Sequence, residues 1–112
     1  MNTVEAKRAK PMENPHGVNV ARLYDSEHAQ VVHIHLRPGE QLKPHITPVD
    51  AIFYVLEGEG VVQIGDEKKT VKADTLIDSP RDIPHCWFNE SDSDVRILVT
   101  KVPRQTNPTR ML

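Results

Sequence analysis

The sequence predicts an all-β sandwich or barrel. Short runs of strand-forming residues recur roughly every 8 to 12 positions. Gly and Pro punctuate these runs, and no window of about 11 residues carries a convincing period near ~3.6. A chain of 112 residues is also of the size that closes around a single core.

Val18 to Tyr24 sets Val18, Val20 and Arg22 against Asn19, Ala21 and Leu23. Val31 to Leu36 alternates more cleanly, with Val32, Ile34 and Leu36 on one side. Pro38-Gly39 then marks a turn. Ala51 to Leu56 is a continuous apolar run, Gly58 to Gly60 punctuates it, and Val61 to Ile64 follows. Gly65-Asp66 opens a hairpin into Lys68 to Ala73. Thr75 to Asp78, His85 to Phe88 and Val95 to Val102 complete the set of expected strands.

Three segments are expected. Residues 1–17 form a polar lead-in in which Pro11, Pro15 and Gly17 interrupt any helix. Residues 18–102 form the barrel. Residues 103–112 form a polar, Pro-punctuated tail running over the surface, with Met111 and Leu112 as anchors on a neighbour.

Composition narrows the function classes. Hydrophobic residues make up 38% and charged residues 27%, which suits an ordinary globular chain rather than a disordered one. No run approaches the ~20 apolar residues that span a bilayer. Met1 to Lys10 holds no apolar core of a secretory signal, and a single Cys makes no internal disulfide. A cytoplasmic location is the expectation. The net charge of −2 offers no basic footprint for nucleic acid or for an anionic membrane.

Six His stand at 16, 28, 33, 35, 45 and 85. There is no Walker loop, no G-x-G-x-x-G, no G-x-S-x-G and no H-E-x-x-H, so phosphate-cradling and serine-hydrolase chemistry have no support. Two stretches stand out. The first is Gly39-x5-His45-x-Thr47, continuing through Pro48, Asp50 and Phe53-Tyr54-Val55-Leu56-Glu57-Gly58. The second is Asp74-x5-Pro80-x-Asp82-x2-His85-x3-Asn89.

This pair resembles the two motifs of the cupin superfamily over roughly residues 31 to 102. The segment Glu59 to Ala73 between them resembles the short spacer of compact single-domain cupins. The resemblance implies a double-stranded β-helix, or jelly-roll barrel. It also implies a metal site in which two His, two residues apart on one strand, project to the same face. A Glu four residues on and a His from a distant strand would complete the site. Such a donor set suits Fe, Mn, Ni, Co, Cu or Zn.

The sequence departs from that set, because Thr47 stands in the second His position and Ala51 in the Glu position. A reduced metal site of His45, His85 and Asp50 is one expectation, with Asp50 aimed inward by a bulge after Pro48. In the other, His45 and His85 are hydrogen-bonding groups of a metal-free barrel and Asp50 caps a turn.

Thr47, Phe53, Val55 and Trp87 are the expected pocket residues, since they share parity with the two His if no bulge intervenes. Val32, Ile34 and Leu36 take the core phase of their strand, so His33 and His35 are expected outside the barrel or at a subunit contact. His16 and His28 read as surface. Cys86 reads as a small hydrophobe facing away from His85. Asp66 to Lys69 and Glu90 to Asp94 read as solvated loops. Ile52, Tyr54 and Leu56 would make an apolar outer face, which predicts a homodimer.

The function implied is that of a small stand-alone cupin binding a small organic ligand, either on a divalent metal held by His45 and His85 or without metal. As an enzyme it would be a metal-dependent oxygenase or isomerase. As a non-catalytic module it would bind or sense a ligand, and a regulator would act in trans. The sequence assigns no catalytic residue.

Overall fold

A computed structural model describes residues 1–112. Ten strands follow one short 3-10 turn at Ala6–Arg8. They are β1 (Asn19–Asp25), β2 (Gln30–Leu36), β3 (Gln41–Ile46), β4 (Asp50–Glu57) and β5 (Glu59–Ile64). They continue as β6 (Glu67–Lys72), β7 (Leu76–Ser79), β8 (His85–Phe88), β9 (Val95–Val102) and β10 (Arg110–Met111). Two five-stranded sheets result, ordered β1-β2-β9-β4-β7 and β10-β3-β8-β5-β6. Every pairing is antiparallel. The chain is an all-β jelly roll, as expected.

The period of two decides which residues fill it. Val32, Ile34 and Leu36 of β2 join Phe53 and Val55 of β4, Trp87 of β8, and Val95, Ile97 and Val99 of β9 in one core cluster. Gly60 leaves the space that the Trp87 indole occupies, since a Cβ there would meet the ring at 3.1 Å. Gly65-Asp66 makes the two-residue β5–β6 hairpin, with Ile64 opposite Glu67 and Gly65 at φ 58°. Asn89 is buried. Its side-chain amide donates to the Leu36 and Ser93 carbonyls, and its own carbonyl accepts from the Gly39 N–H at 2.8 Å.

Two strands escape the pattern read from sequence. β3 contains Pro44 and no apolar alternation, and it holds its place through β8 and β10. β10 turns the tail into a short edge strand on β3, with Met111 opposite His45. Residues 103–109 therefore cross the open end of the barrel from one sheet to the other.

Candidate functional site

β3 delivers His45 through a bulge. Leu42 pairs with Trp87 and His45 with His85, so three steps on β3 match two on β8. An odd spacing would ordinarily send Leu42 and His45 to opposite faces. The extra residue restores both to the interior, while Lys43 and Pro44 stay exposed. Pro44 sits at this irregularity, where a missing N–H costs no ladder bond.

Across the pair, His45 Nε2 and His85 Nε2 are 2.9 Å apart and both rings are buried. The network assigns their tautomers. Lys43 O accepts from His45 Nδ1 at 2.6 Å, so the proton of neutral His45 is on Nδ1 and its Nε2 is an acceptor. His85 Nε2–H therefore donates to His45 Nε2, and Thr47 Oγ1, 3.3 Å away, takes a weaker share of the same proton. His85 Nδ1 is then the acceptor for the Ser79 hydroxyl at 2.7 Å. The result is a directional chain of buried groups, Ser79 to His85 to His45 to the Lys43 carbonyl.

Burial keeps both rings neutral. The pKa of His85 is lowered to about 3, first by desolvation and then by His45, Lys101 and His16. Desolvation also lowers His45, against the opposing hydrogen bond to Lys43. Phe53 stands edge-on to His85 at 5.3 Å and to Trp87 at 5.4 Å, which links the polar pair to the core.

The pair forms one wall of a cavity of about 470 Å³. Val20, Val32, Ile34, Phe53 and Val99 supply apolar wall, and residues 12–16 and 105–109 frame the mouth. Thus the lead-in and the tail both build the site. Of the four residues named for a pocket, Thr47 and Phe53 line this space. Val55 and Trp87, also expected there, do not line it. They share its parity but lie further along their strands, where both are fully buried in the core.

Asp50 does not turn inward. It is exposed, and its Oδ1 accepts from the Arg81 N–H at 2.9 Å. Together with the Asp82 N–H to Thr47 O bond at 3.0 Å, this ties the loop before β4 to the loop before β8. Asp50 is a loop tether, in keeping with the turn role, and its expected place beside the His pair is corrected. No group of three or more His, Cys, Asp or Glu is placed to hold a metal ion. Two imidazoles fall short of the three protein ligands of an ordinary catalytic metal site.

Two site residues escaped the sequence reading. His16, expected at the surface, packs on His45 at 4.8 Å between ring centroids and lines the cavity. Its Nδ1 accepts from the Lys43 N–H at 2.8 Å, which seats the lead-in against β3. Burial first, then His45, lowers its pKa to about 4. No local signal marked it, because His16 lies outside both motifs and reaches the site by a 27-residue excursion. Ser79 carried a weak signal, its place one residue before the Pro80 of the second motif.

His33 and His35 face away from the barrel interior, the phase expected from Val32, Ile34 and Leu36. His33 is buried on the outer side of its sheet and accepts from Arg96 Nε at 3.1 Å. His35 bonds Asp94 at 2.9 Å. Cys86 is buried beside the inward His85, and burial raises its thiol pKa, which leaves it unreactive.

Comparisons with known proteins agree with this architecture. A polyketide synthase, CurC, of Streptomyces cyaneus is 31% identical over 75 residues, covering 66% of this chain and 49% of the relative. The chain thus spans about half the length of that curated relative. The crystal structure of TT1209 from Thermus thermophilus matches with 31% identity over 93% of this chain and 99% of that one, at a TM-score of 0.80. The polyketide cyclase RemF from Streptomyces resistomycificus shares the fold at a TM-score of 0.85, with 21% identity over 100% of this chain and 85% of its own. No helix of the structure is long and apolar enough to cross a membrane. The family model described as "Cupin domain" matches residues 32–101, and with its motifs carried on a two-sheet jelly roll this chain belongs to the cupin family.

Proposed function

We propose that this chain binds a small organic molecule inside the barrel, against the His45–His85 pair. The observation that carries the reading is the joining of a buried, directional hydrogen-bond network to an apolar cavity of about 470 Å³. A concave apolar site with a few convergent polar groups is the usual form of a small-molecule pocket. His45 Nε2, an acceptor held in place by the Lys43 carbonyl, meets a donor on the ligand. Entry of a hydroxyl or carbonyl oxygen beside the pair redirects the His85 Nε2–H onto it. Two proteins similar to this one are named for polyketide assembly and cyclisation, which favours a ligand rich in carbonyl and hydroxyl groups.

The test is a fragment screen of aromatic ketones and phenols by ¹H–¹⁵N correlation spectra. Shifts are expected at the amides of Thr47, Phe53, His85 and Val99. In His85→Leu, which keeps bulk and removes both ring nitrogens, affinity should fall about tenfold, the value of one to two lost hydrogen bonds. Binding that leaves these amides unmoved, or that ignores His85→Leu, overturns the proposal.

A second reading places a divalent transition metal on His45 and His85. The two Nε2 atoms stand 2.9 Å apart, and a shift of the His85 proton to Nδ1, donated to Ser79, would free both Nε2 lone pairs for one ion. Such an ion would supply Lewis acidity toward a bound oxygen. With two protein ligands the site should be weak and readily stripped by chelator. ICP-MS on untagged protein, compared with the His45→Ala plus His85→Ala variant, decides it. Near-stoichiometric metal lost in the variant supports the reading, and equal metal in both removes it.

The outer face of the β1-β2-β9-β4-β7 sheet adds a homodimer to the proposal. Leu76 and Ile52 are 62% and 37% exposed there. Tyr54 pairs with both Leu76 and Leu98 across that face, making the patch continuous. Sedimentation at micromolar concentration should give about twice the 12.7 kDa chain mass, and Leu76→Lys should return it to one. A monomer in the unmodified chain ends this part of the proposal.

A further inference from the structure

The cavity has a second polar wall that the histidine pair leaves unused. Lys101, near the end of β9, and Arg22 of β1 both line it. Lys101 forms no ion pair, and its ammonium makes a single protein hydrogen bond, 2.8 Å to Gln105 Oε1. Gln105 is in turn the clasp of the tail. Its amide bonds Asn107 O and Thr109 Oγ1, and its backbone N–H reaches Gln30 Oε1.

Arg22 lies 3.7 Å from Asp25, but Arg104 already engages both oxygens of that carboxylate, at 2.7 and 3.2 Å. One carboxylate is therefore shared between two guanidinium groups. The one acidic residue in the cavity lining is Glu13, an exposed residue at the mouth that forms no ion pair. His16, His45 and His85, also in the lining, are held neutral by burial and contribute no charge of either sign near pH 7. The cavity thus presents Lys101, which has no carboxylate partner, and at its exposed side Arg22, whose shared partner Asp25 lies outside the lining.

A cation drawn partly out of water without an anion is costly, and a low-polarity wall strengthens its pull on any anion that enters. Burial lowers the Lys101 pKa, with Arg22 adding to the effect. An anion beside both groups would favour the charged form again.

Taking the cavity as a ligand site, we propose that its ligand is an organic carboxylate. The carboxylate group sits on Lys101 and Arg22, the apolar body lies along Val32, Phe53 and Val99, and the far end reaches His45. The presence of charge and apolar wall in one cavity selects an amphipathic anion over an inorganic one, because an inorganic ion leaves the apolar wall wet. The tail then acts as a charge-side latch, since Gln105 holds the same ammonium that the ligand would take.

The test uses 2-naphthoate and its neutral analogue 2-naphthamide, which match in shape and differ in charge. Calorimetry on the full chain should show 2-naphthoate binding about tenfold to a hundredfold tighter, as a charge-assisted hydrogen bond with a cation would give. Lys101→Met keeps the aliphatic stem and should bring 2-naphthoate down to the level of 2-naphthamide, with 2-naphthamide itself changed less than about threefold. Arg22→Gln should give part of the same loss, and it serves if Lys101→Met does not fold. Equal binding of the two probes to the unmodified chain overturns the carboxylate assignment and leaves the pocket reading standing. Preference for 2-naphthoate that survives both substitutions overturns the assignment to these cations. Binding of neither probe overturns the pocket reading and this inference with it.

Discussion

Gly58→Ala should cost about 3 kcal/mol and lower the melting temperature by about 15 °C, one of the largest single-site effects in the chain. Gly58 joins β4 to β5 with φ at 82°, a left-handed conformation that an L side chain adopts at a penalty. The added Cβ would also fall against the Asp94 carbonyl and lie 3.1 Å from Val95 Cα, both backbone atoms that cannot swing aside. Relief requires the β8–β9 loop to move, and Val95, fully buried in the core, resists that movement. Thermal unfolding followed by circular dichroism measures the effect. A variant melting within about 3 °C of the parent would show that the two loops are not in fixed contact. Gly39 is a useful contrast. Its φ is also positive, at 86°, but an added Cβ there meets nothing within 4 Å. Gly39→Ala should therefore cost only the conformational part, about 1 kcal/mol.

Acid should destabilise the fold over an interval set by its buried histidines. His33 and His85 are 1% and 4% exposed, and burial lowers their pKa values to about 4 and about 3. Unfolded, each titrates near the ordinary ~6.5. Above pH ~6.5 both states hold neutral rings and the stability is independent of these groups. As pH falls below that point the unfolded chain takes up protons that the folded chain does not, so stability drops. Each ring contributes a slope of about 1.4 kcal/mol per pH unit at most, fading as pH approaches its folded value.

His33 is the cleaner probe, because it lies outside the cavity. Beyond burial, Arg96, His35 and Lys7 disfavour its protonation, and Glu57 partly offsets them. In urea unfolding at pH 7, 6 and 5, His33→Gln should remove about a quarter to a third of the parent's loss between pH 6 and 5, because His16, His45 and His85 share the rest. It should also keep the hydrogen bond offered by Arg96 Nε. An unchanged slope would mean that His33 takes a proton in the folded state as readily as in the unfolded one.

Much of the architecture was legible in the residues themselves. β2, β4, β8 and β9 announce themselves through alternation or sustained strand propensity, and their boundaries fall within a residue or so of those read from sequence. The Gly65-Asp66 hairpin needed only local turn chemistry. β3 was hidden because Pro44 and the surrounding polar residues carry no period, and it forms only where neighbouring strands supply partners. β10 was hidden for the same reason.

The site divides along the same line. His45 and His85 were visible because a fixed spacing of turn and ligand-type residues surrounds each. The single extra residue in β3 was not visible, and it decides that Leu42 and His45 both face inward. Asp50 looked available as an inward carboxylate, yet the Arg81 amide holds it at the surface. His16, Lys101 and Arg22 come to one cavity from three remote segments, through strand register and the path of the two termini.

By itself the sequence determined a small β roll with two imidazoles in its signature positions, because alternation and turn geometry act over a few residues. Only the tertiary structure decided the tautomers of those imidazoles, the arrival of Lys101 and Arg22 in the same cavity and the framing of its mouth by both terminal segments. Those properties depend on distances between atoms far apart in the chain, which no local pattern encodes.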